Sequence, residues 1–207
     1  MKFEEVINEL ENYLFDDDIL IKKGSVPILF SAPHTMMQQL DNGITKLSEF
    51  YTKAISLYLN KFYDTYSIIK INDTGIDSNK FNNDEYKTKL RQIIKENNIK
   101  LVIDLHGASK DRDFDIEFGT LNNLSADFST IRELEESFKE NGISNIKHNE
   151  PFKGGAITQS VYGIDDVEVI QLEINSKYRD SNNLEMLKLI IDSLVKFINQ
   201  FNEYINR

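Results

Sequence analysis

The sequence predicts an α/β protein of the three-layer α/β/α kind, with a mainly parallel or mixed central sheet. Two observations carry this expectation. From residue 26 onward, short apolar runs of strand length alternate with longer segments of helical periodicity, the order produced when helices cross over between neighbouring strands. The runs themselves, Val26-Pro27-Ile28-Leu29-Phe30 and Leu101-Val102-Ile103 among them, are nearly continuous in apolar residues, as strands covered on both faces are.

The elements follow in order. Residues 1–14 carry Phe3, Val6, Ile7, Leu10, Tyr13 and Leu14 at helical spacing and run into the acidic stretch Asp16-Asp17-Asp18, which predicts a peripheral helix. A short strand at Ile19 to Ile21 completes a peripheral N-terminal segment over 1–22. Next come a strand over 26–31, a helix over 46–61, a strand over 66–71, a helix over 84–97 and a strand over 100–105. A strand over 114–119, a charged amphipathic helix over 127–141 and a strand over 167–174 continue the series. The chain closes with a helix over 183–205, in which Leu184, Leu187, Ile190, Ile191, Leu194, Ile198 and Phe201 form an apolar stripe suited to core packing. Asn82-Asn83 and Asn182-Asn183 read as helix-capping turns. No repeat, low-complexity tract or linker interrupts residues 1–207, which are read as one domain.

Composition narrows the chemistry. The formal net charge of −10 argues against a nucleic-acid surface, because phosphate neutralisation needs clustered Lys and Arg. A small anionic substrate is still compatible, since Lys110, Arg112, Lys153, Lys177 and Arg179 lie beside the motifs below; the plainer reading of each is solvated surface charge. Without cysteine there is no disulfide framework and no thiolate, so a transition metal must be held by His, Asp, Glu or water. The start Met1-Lys2-Phe3-Glu4-Glu5 is acidic where a secretory signal needs an apolar core, and no stretch reaches membrane-span length. A cytoplasmic protein with no membrane partner is expected, and no oligomeric state is implied.

Two of the three histidines end strand-like runs. His34 follows Phe30-Ser31-Ala32-Pro33, and His106 closes Val102-Ile103-Asp104-Leu105 ahead of Gly107, which permits a tight turn. In an open α/β sheet the carboxyl ends of strands border the ligand crevice, so both imidazoles are placed to reach one site. A histidine bonded to backbone is the plainer reading of either alone. Asp104, two residues before His106 and on its face, could fix the tautomer of a metal histidine, His106 or His34, or be a buried polar residue. Glu49, near the start of the helix after the His34 loop, could serve as a third ligand, or simply meet the helix dipole. Glu173 interrupts the apolar run Val169-Ile170-Gln171-Leu172, and a carboxylate there needs a function or a cationic partner. The function would be proton transfer in metal-assisted hydrolysis. His148 precedes Asn149-Glu150-Pro151 and is left out of the metal set.

Taken together, Phe30-Ser31-Ala32-Pro33-His34-Thr35, Ser48-Glu49, Val102 to Gly107, Pro151-Phe152-Lys153-Gly154-Gly155-Ala156-Ile157-Thr158 and Gln171-Leu172-Glu173-Ile174-Asn175 resemble the N-formylglutamate amidohydrolase family. That family is similar in fold to the zinc carboxypeptidases. The resemblance implies a zinc carboxypeptidase-like (phosphorylase/hydrolase-like) fold and one zinc ion per chain, held by His34, Glu49 and His106. It further implies Glu173 as the proton-transferring base, and Arg112 as the cation that polarises the scissile carbonyl or grips a substrate carboxylate. Lys153, Gly154, Gly155 and Asn175 would contact the substrate. Two positions depart from relatives: Met37 stands where carboxypeptidases pair their histidine with a glutamate, and Ser176 stands where many relatives carry arginine.

The function expected is therefore zinc-dependent hydrolysis of an amide bond in a small N-acyl amino acid or related carboxylate. Two alternatives keep the same fold: a peptidase acting on peptide or cell-wall fragments, and a non-catalytic protein that binds a small anion.

Overall fold

The computed structural model describes residues 2–40, 43–80 and 84–205, so the turn expected at Asn82-Asn83 lies outside the described residues. Helix α1 (Phe3–Asn12) is followed by strands β1 (Ile19–Lys22), β2 (Val26–Ala32), β3 (Gln38–Gln39) and β4 (Thr45–Lys46), then by helix α2 (Thr52–Tyr63) and strand β5 (Thr65–Lys70). The chain continues through α3 (Glu85–Glu96), β6 (Leu101–Ala108), β7 (Ile116–Gly119), α4 (Phe128–Glu140) and β8 (Ile146–His148). It ends with α5 (Ala156–Val161), β9 (Glu168–Asn175) and α6 (Leu184–Ile205).

Among the described residues seven strands form one sheet, in the order β1-β5-β2-β6-β9-β7-β8. Its centre, β5-β2-β6-β9, is parallel, while β1 and β7 join antiparallel to β5 and β9. The sheet is mixed around a parallel core, within the fold class the sequence predicts. Pro27 is accommodated inside β2 because the pairing with β5 is irregular between Val26 and Leu29, where a missing N–H breaks no ladder.

The two faces of the sheet differ in a way that creates the site. On one face Phe30, Leu101, Ile103, Leu105, Ile116, Phe118, Ile170, Leu172 and Ile174 are buried in a continuous apolar cluster with residues of α1, α2, α4 and α6. Because side chains alternate along a strand, the other face carries Leu29, Val102 and Val169, which pack with α3 and α5 through Tyr86, Leu90, Ile93, Ile157 and Val161. Two residues further along each strand that same face turns polar. Ser31, Asp104 and Gln171 share one cross-strand row, and His106, Glu173 and Glu117 share the next. One face is therefore apolar at the start of its central strands and polar at their carboxyl ends.

Residues 3–22 sit at the edge of the molecule and are built into it: Val6, Ile7 and Leu10 are buried, and β1 pairs with β5. The helix expected over 46–61 begins only at Thr52. Residues 45–46 pair with 38–39 instead, and Leu47 and Phe50 are exposed. The strand expected to stop at 105 runs to Ala108, so His106 lies within the sheet and in register with Glu173. Asn182 and Asn183 do lie in the turn that leads into α6.

Candidate metal centre and its surroundings

Three side chains from three segments converge. His34 follows the end of β2, His106 lies near the end of β6, and Glu49 stands in the chain between β4 and α2, three residues before the helix. The Glu49 carboxylate bonds across to the neighbouring segments, and its N–H donates to the His34 carbonyl at 2.8 Å. A helix-dipole role for Glu49 is thereby set aside. His34 Nδ1 lies 3.0 Å from Glu49 Oε1 and 3.1 Å from His106 Nδ1, and His106 Nδ1 lies 3.3 Å from Glu49 Oε2. A tetrahedral zinc with ligands at about 2.0–2.1 Å has ligand–ligand edges of about 3.3 Å, which the two Nδ1 atoms approach, with one Glu49 oxygen beside each of them.

The far side of each imidazole strengthens the fit. Asp104 Oδ2 accepts from His106 Nε2 at 2.8 Å, and Asp77 Oδ1 accepts from His34 Nε2 at 2.9 Å. The aspartate at each Nε2 places the proton there, with the Lys46 ammonium also 2.9 Å from His34 Nε2, and this tautomer leaves both Nδ1 lone pairs aimed at each other and at Glu49. Two lone pairs and a carboxylate facing one point repel unless a cation or a proton lies between them. Accordingly, burial alone would lower the pKa of His106, yet Asp104 and Glu49 raise it well above the usual imidazole value. Burial would raise the pKa of Glu49, but the two histidines bring it well below the usual carboxylate value. The His34, Glu49 and His106 group could hold a metal ion.

These supporting carboxylates are themselves fixed. Asp104 Oδ1 accepts from Ser31 Oγ at 2.6 Å, and the Tyr86 hydroxyl lies 2.9 Å from Ser31 Oγ. Asp77 is completely buried and pairs through Oδ2 with Lys46 at 3.3 Å. Its neighbours' carbonyls are held by two buried lysines, Lys70 on Ile76 and Lys87 on Ser78.

Glu173 stands beside His106 in the sheet and 5 % exposed. No lysine or arginine pairs with it among the described residues. Its Oε1 accepts from Gln171 Nε2 at 2.7 Å, and Gln171 Oε1 accepts from the Gly155 N–H at 2.6 Å. Burial, reinforced by Glu49, raises its pKa, against the lowering effect of His106 and Gln171. Gln171 thus ties the glycine turn to Glu173. The turn needs glycine twice over: Gly154 has φ +107°, and a Cβ on Gly155 would meet Asn79 Oδ1 at 1.9 Å.

The remaining residues expected at the site are placed around it. Arg112 and Lys153 are exposed, with the Arg112 guanidinium 5.0 Å from the Phe152 ring centroid. Asn175 is buried, and its side chain is engaged with backbone: Nδ2 donates to the Arg112 and Phe114 carbonyls, and Oδ1 accepts from the Lys177 N–H. It clamps the loop that carries Arg112. His148 bonds Glu135 at 3.0 Å on β8, outside the metal cluster. A cleft of about 840 Å³ opens where Thr35, Phe50, Lys110 and Arg179 meet, beside the segments that carry His34 and Glu49. Within the cluster Glu49 is the ligand candidate that reaches solvent, at 14 % exposure.

Asp77, Lys46 and Gln171 were not singled out by the sequence. Asp77 and Lys46 occupy polar loop or short-strand positions that look like solvated surface. Gln171 had one signal, a polar residue in an apolar strand, which it shares with Glu173.

The comparisons bear on the family and the fold. Residues 83–178 match the family model of N-formylglutamate amidohydrolase, which bears out the resemblance read from the motifs over that stretch. No curated protein matches the chain by sequence. The fold is similar to that of an N-formylglutamate amidohydrolase from Ralstonia eutropha JMP134, with a TM-score of 0.67 and 12 % identity over 92 % of this chain and 98 % of that one. It is similar to a bacteriophage poly-gamma-glutamate hydrolase, at 0.58 and 16 % identity over 97 % and 96 %. It also resembles a metallo-carboxypeptidase from Burkholderia cenocepacia, at 0.52 and 13 % identity over 88 % and 61 %, which agrees with the carboxypeptidase-like fold expected.

Proposed function

We propose, from the match to the N-formylglutamate amidohydrolase family over residues 83–178, that the protein is a zinc-dependent amidohydrolase acting on small N-acyl amino acids. The observation that carries this reading is the pair of bare Nδ1 atoms on His34 and His106 facing Glu49, each imidazole anchored at Nε2 by an aspartate. His34, Glu49 and His106 would hold one zinc. When bound, zinc supplies Lewis acidity and lowers the pKa of water from 15.7 to roughly 7.

Glu173 does the proton work. As water attacks the acyl carbon, a C–O bond forms and Glu173 takes the proton of the water. It then delivers that proton to the amide nitrogen as the C–N bond breaks, releasing an acid and an amine. Its buried position, with the pKa raised, makes it a stronger base than an exposed glutamate. Gln171 orients the carboxylate through its Oε1. Arg112 and Lys153, exposed and cationic, are the groups we assign to a substrate carboxylate.

A second reading, cleavage of peptide or cell-wall fragments, is favoured by one observation. The cleft of about 840 Å³ lies within the ~300–1,000 Å³ range of ligand sites and is lined by Thr35 and Phe50, the chain neighbours of His34 and Glu49.

The test is turnover of a panel of N-formyl, N-acetyl and longer N-acyl amino acids and of short peptides by the zinc-loaded protein, beside Glu173→Gln. Hydrolysis of at least one acyl amino acid, with kcat lowered about 10²–10⁴-fold in the variant while zinc stays bound, supports the proposal. Cleavage of peptides alone selects the second reading. Stoichiometric zinc with no turnover of either class selects a binding protein on the same fold.

A further inference from the structure

Arg179 follows the turn Ser176–Tyr178 after β9, and its side chain runs back into the molecule, where it is 9 % exposed. Its guanidinium touches three separate segments. Nε donates to the Ile174 carbonyl at 3.1 Å, one terminal nitrogen to the Phe50 carbonyl at 2.9 Å, and the other to the Ala108 carbonyl at 3.2 Å. Ile174 follows Glu173, Phe50 follows Glu49, and Ala108 is two residues past His106. A single planar fork therefore joins the backbones that carry the base and two of the three metal-ligand candidates.

Gly107 is shaped to this fork. A Cβ at that position would lie 2.4 Å from the guanidinium carbon of Arg179, so the glycine seats the arginine directly beside His106. Burying a guanidinium against neutral carbonyls is costly, and burial lowers the pKa of Arg179 while Glu49, Glu173 and Glu11 favour its charged form. Packing alone would be served as well by an apolar side chain. The arrangement instead uses what only arginine offers, several donors held at fixed angles in one plane.

We infer that Arg179 is a positioning residue that sets the mutual placement of Glu49, His106 and Glu173 by holding the carbonyls behind them. The inference rests on the reading of the cluster as a metal site. Lysine carries the same charge with a single flexible ammonium and cannot span three carbonyls in a plane, so it should not replace arginine here.

The experiment uses cobalt(II) as a spectroscopic stand-in for zinc. Cobalt absorption spectra, zinc affinity by chelator competition, kcat and KM are measured for the wild type, Arg179→Lys, Gly107→Ala and the double variant, with circular dichroism to confirm folding. Arg179→Lys should fold, show an altered cobalt band, bind zinc about 10–100-fold more weakly, and lose kcat more than it changes KM. Gly107→Ala should reproduce these effects, because its methyl displaces the fork. In the Arg179→Lys background the same methyl should add little, since the groups it would meet are gone. An unaltered cobalt band and zinc affinity in Arg179→Lys would overturn the inference, as would effects of the two substitutions that simply add. If Arg179→Lys does not fold, Gly107→Ala decides alone by the same readouts: an altered band supports the inference and an unaltered one overturns it. A wild type that binds no metal is a different failure: it removes the metal reading itself, and this inference with it.

Discussion

Each side chain of the cluster is defined by the atoms it leaves free. Asp104 and Asp77 occupy the Nε2 atoms, so each imidazole can present only Nδ1 to an ion. Asp104→Asn and Asp77→Asn should therefore lower zinc affinity by about 10–100-fold each, measured by chelator competition; unchanged affinity would mean that tautomer control is not their role. Gln171 makes a finer prediction. Its amide stabilises the anion of Glu173, so Gln171→Met should raise the pKa of the base further and move the acid limb of kcat/KM to higher pH. An acid limb unmoved, or moved to lower pH, contradicts the assignment of Glu173 as the base. His34, His106 and Glu173 were legible as chemistry because each stands out against an apolar run. Asp77 and Lys46 were not, since an Asp or Lys in a polar stretch becomes a buried partner only once the chain brings it against His34. Arg179 was read as one of several cations near the motifs; its burial depends on contacts across 71 and 129 residues of sequence, which no local pattern records.

Strands of four residues or more were visible in the sequence, and the strands of two or three residues were not. The stripe of α6 gave that helix to within a residue or so, because Leu187, Ile190 and Leu194 are all fully buried. Leu194→Ala should cost about 2–5 kcal/mol in urea unfolding and leave zinc affinity unchanged, as its packing lies on the sheet face opposite the site. A loss of zinc binding at equal fold content would contradict the separation of the two faces. By contrast, β3, β4 and β8 have two or three residues each, too few for an alternation to register, and α5 is a single short helix held by Ile157 and Val161 against the sheet. The start of α2 was misplaced for a related reason: Leu47 and Phe50 continue its apolar spacing backwards, while the tie between Glu49 and His34 keeps that stretch out of the helix. The segment that carries Asp77 also sets a pH dependence. Burial opposes its ionisation, but His34 and Lys46 bring its pKa below the ordinary carboxylate value. A depressed folded-state pKa contributes stability that is complete above the unfolded value near 3.9 and is lost as pH falls below it. In the metal-free protein the stability gap between wild type and Asp77→Asn should be widest near neutrality and narrow steadily as pH falls below about 4. A gap that stays constant across that range would show that the charge of Asp77 is not what stabilises.

The molecule as a whole divides its labour between the two sides of one sheet. One side is largely apolar and packs against α1, α2, α4 and α6. The other spends its upper rows on Ser31, Asp104, Gln171, His106, Glu173 and Glu117, and one Glu117 oxygen there has no hydrogen-bond partner among the described residues. Fold class and strand rhythm were readable because they follow from the apolar runs, whereas the polar layer was readable only in part, since it is assembled from register between strands far apart in sequence. A polar layer of this kind limits stability, and on the proposed reading a bound cation would relieve that limit. Zinc at 100 times its Kd should add about 2.7 kcal/mol, seen as a higher melting temperature that a chelator reverses. Among the described residues no helix is long and apolar enough to cross a membrane. The most direct test of the account is the metal content of the purified protein beside a His34→Ala, His106→Ala double variant, by elemental mass spectrometry. The account predicts about one zinc per chain in the wild type and none in the variant at equal fold content. Absence of metal from both after zinc is supplied, or equal zinc in both, would contradict it.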